Sequence, residues 1–169
     1  MGAANPLPIL TEDPALAGDT EELYDALEDL LRIYQFRDRD RICCFDISVS
    51  QCYALEGLVR RGGMTLNDLA AFLYIDKSTA SRVIDALERK GYVQRSAHPK
   101  DRRSVLLEAT PAGRDLEGRI RESILAEERQ LLADFTPEVR KAMTQLIRRL
   151  ARAASASVDA SNGSCCRIP

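Results

Sequence analysis

Five cysteines are the residues of this 169-residue chain with the most distinctive chemistry. They are Cys52 and two adjacent pairs, Cys43–Cys44 and Cys165–Cys166. Neighbouring side chains on a helix or strand point in different directions, so an adjacent pair fills a core poorly. Thiolates bind soft, thiophilic ions, which take two or three sulfur ligands. The sequence therefore predicts a sensor site at these thiols, and trivalent arsenic (arsenite) is the first ligand we consider.

The cysteines have two other interpretations. The same thiols could form a disulfide or a sulfenic acid and act as a redox switch. Alternatively they are bystanders, with Cys52 serving as a small buried apolar residue. The small polar stretch 155–164 reaches at most about 33 Å, which would let the last pair return to the first in the same subunit or its partner. The sequence leaves all three interpretations open.

The rest of the composition argues against an enzyme and against a membrane protein. The chain has no C-x-x-C motif, no phosphate-binding glycine loop and one histidine, His98, which excludes a multi-histidine zinc site. No window approaches the roughly 18 apolar residues of a membrane span, and the N-terminus lacks the features of a secretory signal. With 45% hydrophobic residues the chain can build a core. We expect a cytoplasmic protein that is not an enzyme and has no membrane partner.

Positive charge is concentrated in residues 77–103, although the net charge of the chain is only −2. Eight Lys and Arg residues face three acidic residues there, which leaves +5, whereas residues 1–31 carry −8. A basic patch in a near-neutral chain is typical of a phosphate-binding surface. A solvated helix face is the simpler alternative. Charge alone does not distinguish a phosphate-binding surface from a solvated helix face, so the distinction depends on the structural motif that contains the patch.

Side-chain caps predict where the helices begin. Apolar residues recur at helical spacing over 20–36, and polar capping residues then precede five further apolar stretches. Gly62–Gly63 and Gly91 are typical of helix ends. The predicted starts are, in chain order, Ser48 with Gln51, Thr65 with Asp68, Asp76, Thr110–Pro111 and Thr136–Pro137.

The helix predicted after Asp76 has one apolar and one polar face, and two short strands follow it. Ala80, Val83, Ile84 and Leu87 share one face, and Ser78, Arg82, Asp85 and Arg89 share the other. Residues 92–95 and 104–108 favour strands, joined by the polar tip 97–103. Two short helices with a tight turn, followed by a hairpin with a basic tip, predict a winged helix-turn-helix. The expected fold class is mainly α with a small β-hairpin wing.

A winged helix-turn-helix offers DNA one helix and one β-loop. The helix enters the major groove, where we expect contacts from Lys77, Ser78, Thr79, Arg82 and Arg89. The tip cations Arg102 and Arg103 are placed to enter a narrow minor groove. Asp101 can hold the Arg103 guanidinium in one orientation, which reduces the entropy lost on insertion.

Residues 48–116 resemble the MarR (multiple antibiotic resistance regulator) family. The similar stretches are MTLNDLAAFLYIDKSTASRVIDALERKGYVQR and HPKDRRSVLLEATPAGRDL. The second resembles the family's wing signature at Asp101, Arg103, Thr110 and Gly113. The resemblance implies a homodimeric transcriptional regulator, expected to be a repressor, that binds a pseudo-palindromic operator in double-stranded DNA. It also implies that a small effector or cysteine oxidation tunes binding.

The predicted organisation has four parts. Residues 1–19 form a loose N-terminal arm, 20–45 and 113–154 a helical dimerisation lobe, 46–112 the winged helix-turn-helix lobe, and 155–169 a flexible tail with two cysteines. The tentative effector or metal site is Cys43, Cys44 and Cys52 with Cys165 and Cys166. An aromatic effector with bystander cysteines remains an alternative. A winged helix that binds a protein instead of DNA is the alternative from another class.

Overall fold

The computed structural model describes residues 14–98 and 104–160, with all of their side chains except those at positions 38, 43 and 157–160. The described residues form two compact units that divide between Ile120 and Arg121. Six α-helices and three short strands make up the described chain, which confirms the predicted fold class. In chain order they are α1 (Leu16–Ile42), α2 (Val49–Arg61), β1 (Met64–Thr65), α3 (Leu66–Leu73), α4 (Lys77–Arg89), β2 (Val93–Ala97), β3 (Val105–Ala109), α5 (Pro111–Leu131) and α6 (Pro137–Ala160).

The predicted caps of the three central helices are confirmed. Ser48 with Gln51 and Thr65 with Asp68 each form a reciprocal capping box, and Asp76 caps α4. These caps satisfy backbone N–H groups that have no partner inside the helix. The apolar faces of α2, α3 and α4 then meet in a common core. Its largest fully buried side chains include Leu55, Leu58, Leu69, Ile84 and Leu87.

The wing is a three-stranded antiparallel sheet in the order β1–β3–β2. Val93 pairs with Ala109 and Ala97 with Val105, so both hairpin strands lie about one residue beyond their predicted ranges. Met64 pairs with Leu107, which adds a third strand that the sequence analysis missed. Two residues are too few to establish an alternating pattern, so this strand left no signal in the sequence.

The start of α5 is fixed against the end of α4. Thr110 Oγ1 donates a hydrogen bond to the Gly91 carbonyl (2.7 Å) and accepts one from the Gly113 N–H (3.1 Å). A Cβ on Gly113 would lie 2.1 Å from the Tyr92 carbonyl oxygen. Gly113 is therefore required by the close approach of two backbone segments. This contact explains why Thr110 and Gly113, two residues of the wing signature, are of these types.

The outer helices are longer than predicted. Helix α1 begins at Leu16, inside the segment expected to be a loose arm, and continues to Ile42. Helix α6 continues to Ala160, so the expectation of a flexible tail is wrong for residues 155–160. Alanine has the highest helix propensity, and the alanines at the end of α6 favour this extension over the flexibility suggested by its serines. Among residues 14–98 and 104–160, no helix is long and apolar enough to cross a membrane.

Candidate nucleic-acid interface

The N-terminus of α4 is organised by the Asp76 carboxylate. It accepts hydrogen bonds from the Thr79 N–H (2.9 Å), the Thr79 hydroxyl (2.7 Å) and the Ser78 hydroxyl (2.5 Å). These bonds hold the pKa of the Asp76 carboxyl well below its usual range, and the bond from the Ser78 hydroxyl has the largest effect. Arg82 Nη2 in turn donates to Thr79 Oγ1 (3.1 Å). Three of the predicted DNA-contacting residues thus belong to one hydrogen-bonded chain at the start of the helix.

The predicted division of α4 into two faces is confirmed. Ala80, Ile84 and Leu87 are fully buried. The exposed side chains include those of Lys77, Ser78, Arg82 and Arg89, whereas Thr79 is half-buried. Helix α4 therefore presents cations and a hydroxyl outward while its apolar face anchors it in the core.

A cleft of about 290 Å³ lies where α3, α4 and β3 begin. Lys77 lines it on the α4 side and Ser104 on the β3 side, and the first residues of α3 complete it. The Lys77 ammonium group favours anions at this cleft, whereas the Asp68 and Asp76 carboxylates already cap the starts of α3 and α4. The His98 N–H donates to the Ser104 carbonyl (3.2 Å) and closes the wing strands beside the cleft. The tip residues Asp101, Arg102 and Arg103 lie outside the described residues.

Arg95 was counted in the basic patch, but the structure bonds it to two carboxylates of α4. Its Nη2 donates to Asp85 Oδ1 (2.6 Å) and its Nη1 to Glu88 Oε2 (2.5 Å). The bond to Asp85 is the main cause that raises the pKa of Arg95 above its ordinary value. Sequence reasoning missed this contact, because no local pattern connects Arg95 on β2 with Asp85 and Glu88 on α4.

Lys90 connects the end of α4 to the segment that follows α1. Its ammonium group donates to the Asp46 carbonyl oxygen and lies 3.7 Å from Asp46 Oδ2. Asp46 has a φ of 56°, a left-handed conformation that Asp tolerates better than most residues. It directly follows a 3₁₀ turn formed by Cys43–Phe45. The C-terminal end of α4 is therefore in direct contact with the segment that carries the first cysteine pair.

The structure separates the described cysteines by environment. Cys44 is exposed, and its Sγ donates to the Asp40 carbonyl (3.8 Å). Cys52 is buried in the core, with 6% of its surface exposed. The side chain of Cys43, and all of Cys165 and Cys166, lie outside the described residues. Within the described side chains there is no group of three or more His, Cys, Asp or Glu suited to a metal ion.

A basic helix face beside an antiparallel wing, held on a helical scaffold, defines the class of winged helix-turn-helix transcription regulators. Comparison with known proteins agrees. The MarR family model matches residues 47–105. The chain is 34% identical over 122 residues to the uncharacterized HTH-type transcriptional regulator Mb0904 of Mycobacterium bovis, covering 70% of this chain and 80% of that protein. This chain belongs to the MarR family of transcription regulators.

Solved structures give the same result. The crystal structure of a MarR transcriptional regulator from Methanosarcina mazei matches with a TM-score of 0.71 and 28% identity, covering 80% of this chain and 98% of that one. The MarR family regulator SP03579 matches with a TM-score of 0.73 and 25% identity, covering 86% of this chain and 98% of that one. Some relatives are matched over less of their length. The chain spans 59% of a Thauera aromatica regulatory protein, at 29% identity, and 53% of YwaE from Bacillus subtilis, at 30% identity.

Proposed function

We propose that this protein is a homodimeric, cytoplasmic repressor that binds a pseudo-palindromic operator in double-stranded DNA. The observation that carries the proposal is the outward basic face of α4 next to the paired wing strands. A helix of this kind fits the major groove, and a hairpin beside it reaches the adjacent minor groove. In a two-fold symmetric dimer the two copies of α4, the recognition helices, would meet half-sites about 10 bp apart.

Each exposed group of α4 suits a different part of the DNA surface. Lys77, which lines the cleft and has an ammonium group, is suited to a backbone phosphate. Arg82 has the forked donor geometry that reads guanine, and Arg89 lies further along the same face. Because the Ser78 hydroxyl donates to Asp76, its oxygen is left to accept from a base amino group, whereas the Thr79 oxygen already accepts from Arg82. In the wing, we assign Arg102 and Arg103 to the minor groove and Asp101 to orienting Arg103.

Exposed apolar residues on the outer helices support the homodimer. On α1, Leu31 and Phe36 each expose 58% of their surface; on α6, Leu146 exposes 66% and Ile147 58%. Large exposed apolar faces are characteristic of interaction surfaces. Acidic residues dominate the first half of α1, whereas α6 is rich in arginine, so the two helices have complementary charge. We assign these faces to a second copy of the chain.

The DNA proposal is tested with a duplex selected by the full-length protein from a random-sequence library. Fluorescence anisotropy should give an affinity that falls steeply with salt, because phosphate contacts release counterions. Arg82→Ala should weaken binding about tenfold or more and relax the preference at one base pair in each half-site. Arg60→Ala on α2 is the matched control and should leave binding unchanged. Failure to select any duplex would contradict the proposal and favour the alternative of a protein-binding winged helix.

We further propose that the regulatory signal acts at Cys43–Cys44. The carrying observation is the exposed Cys44 thiol in a turn that is held on both sides. The Arg119 guanidinium lies 5.6 Å from the centre of the Phe45 ring, and Asp46 contacts Lys90 at the end of α4. A change in the turn therefore acts directly on a residue at the end of the recognition helix. Such a change would shift the population of DNA-competent spacings in the dimer.

Arsenite is the first ligand to test at these thiols. Each thiol replaces one hydroxide of trivalent arsenous acid, forming an As–S bond and releasing one water. Cys43 and Cys44 would supply two sulfurs and the tail pair a third. Cys52 is less suitable, because binding there would have to remove it from the core. Oxidation by hydrogen peroxide is the second candidate: two thiols would lose two protons and two electrons to form a disulfide, and hydrogen peroxide would be reduced to two molecules of water.

Mass spectrometry of the reduced protein separates the candidates. A stoichiometric arsenite adduct that is absent from Cys43→Ser and Cys44→Ser supports arsenic sensing. No adduct, together with loss of DNA binding after peroxide that dithiothreitol reverses, supports the redox switch. If neither reagent changes DNA binding, both cysteine proposals are contradicted and the aromatic effector with bystander cysteines is favoured.

A further inference from the structure

Arg95 bridges the recognition helix and the wing. Asp85 and Glu88 lie three positions apart on α4, and one guanidinium from β2 donates to both. Arginine has a planar, multi-donor head that suits such a two-carboxylate site. The contact joins residues 10 and 7 positions apart in sequence, so it is a tertiary contact between two elements that both face DNA in the proposed complex.

The position of Arg95 within β2 determines what it holds. Side chains two residues apart in a strand share a face, and Val93, two positions earlier, is 2% exposed in the core. Arg95 thus extends the contact between β2 and α4 beyond the buried side chain of Val93. Further along the strand, Ala97 is exposed and leads to the wing tip. Arg95 therefore links the wing strand to α4 on the side of Val93 nearer the wing tip.

The charges at this site argue against Arg95 as a phosphate contact. One guanidinium and two carboxylates sum to −1, so a DNA phosphate approaching Arg95 would meet a net negative group. The two carboxylates on a DNA-facing helix would also repel the backbone if Arg95 did not pair with them. The arrangement suits a structural clamp that partly neutralises its own acidic residues.

We propose that Arg95 is a positioning residue that fixes the angle between the wing and the recognition helix, so that both reach DNA at once. The inference rests on the proposed DNA-binding function. It assigns to Arg95, Asp85 and Glu88 a joint role in the geometry of binding and no direct contact with DNA.

Four variants of the full-length protein test this on the selected duplex. Arg95→Met removes the clamp and keeps the length of the side chain; it should weaken DNA binding about three- to tenfold, as expected for partly exposed ion pairs. Asp85→Asn combined with Glu88→Gln should also weaken binding, although it removes two negative charges. The triple variant should be no weaker than Arg95→Met, because all three residues act through one contact. Arg95→Lys, which keeps the charge but not the fork, should fall between Arg95→Met and the wild type.

A phosphate contact predicts the opposite pattern. The carboxylate double variant would then bind DNA more tightly, and Arg95→Met would reduce the slope of log K against log salt by about 1.8, because the dimer would lose two phosphate contacts. Either result would overturn the clamp. Arg60→Met is the matched control, since Arg60 forms an exposed pair with Glu56 on α2 (3.0 Å) and should change neither affinity nor slope.

Hydrogen exchange of the unbound protein supplies a readout that needs no DNA. Arg95→Met should accelerate amide exchange in β2 and β3, and Arg60→Met should not. Unchanged exchange in Arg95→Met would overturn the clamp even if DNA binding is confirmed. If the wild-type protein selects no duplex, the DNA-binding function fails independently of the exchange result.

Discussion

Two glycines of α5 should respond to the same substitution with opposite signs. A Cβ on Gly113 would lie 2.1 Å from the Tyr92 carbonyl oxygen and 3.0 Å from its carbonyl carbon. The first distance is more than about 1 Å short of ordinary contact. Because the obstacle is backbone at the start of β2, it cannot rotate aside as a side chain would. Gly118 has no atom within 4 Å of the corresponding position.

The expected magnitudes follow from these distances. Gly113→Ala gains up to about 1 kcal/mol of helix propensity but must displace packed backbone, so we expect a net loss of about 1–3 kcal/mol in the free energy of unfolding. For a chain of this size that corresponds to a Tm lower by about 2–10 °C. Gly118→Ala has only the helix gain and should raise the Tm by about 1–3 °C.

Thermal unfolding followed by circular dichroism at 222 nm measures both variants under identical conditions. Because each variant adds one methyl group to the same helix, the difference in Tm between the two variants reports on the surroundings of each glycine. If Gly113→Ala is as stable as Gly118→Ala, the close approach of α5 to Tyr92 is wrong, and so is our explanation of the Thr and Gly of the wing signature.

Three further predictions concern the ends of α4 and the cysteines. Because the folded-state pKa of Asp76 is lowered, its stabilising effect should be complete above its unfolded value near 3.9 and should diminish as pH falls below it. Urea unfolding from pH 7 to pH 3 should therefore show the stability gap between the wild type and Asp76→Ala narrowing below about pH 4, and a constant gap would contradict the cap. Lys90→Met should lower the free energy of unfolding by up to about 1 kcal/mol and accelerate amide exchange at residues 43–46. Arg60→Met is the control, and unchanged exchange in Lys90→Met would contradict the role of this contact. In the native protein, iodoacetamide should alkylate Cys44 quickly and Cys52 only upon unfolding; peptide mass spectrometry would refute this assignment if the two reacted at equal rates.

The parts of the fold that follow from local chemistry were predictable from the sequence. Ser48, Thr65 and Asp76 each cap a helix through hydrogen bonds that span three residues, so their sequence neighbours contain the whole motif. The two faces of α4 follow from helical periodicity in the same way. The predicted wing and the family resemblance also depended on short stretches of sequence, and the basic patch depended on the charge of residues 77–103.

The parts that depend on tertiary contacts were not predictable. Lys90 meets Asp46 across 44 positions, and no local pattern marks either residue. Strand β1 exists because Met64 and Thr65 lie beside β3, not because two residues prefer a strand. Arg95 counted as one more cation until the fold brought it to Asp85 and Glu88. Sequence reasoning therefore identified α4 and the wing, which we propose face DNA, but not the contacts between them.

A hydroxyl-radical footprint of the selected duplex tests the central claim most directly, because it reports which grooves the protein covers. A dimer that presents α4 and the wing twice should give two symmetric patches of protection centred about 10 bp apart, with added minor-groove protection on the outer flanks. Protection of a single patch, or of both strands without two-fold symmetry, would contradict the account.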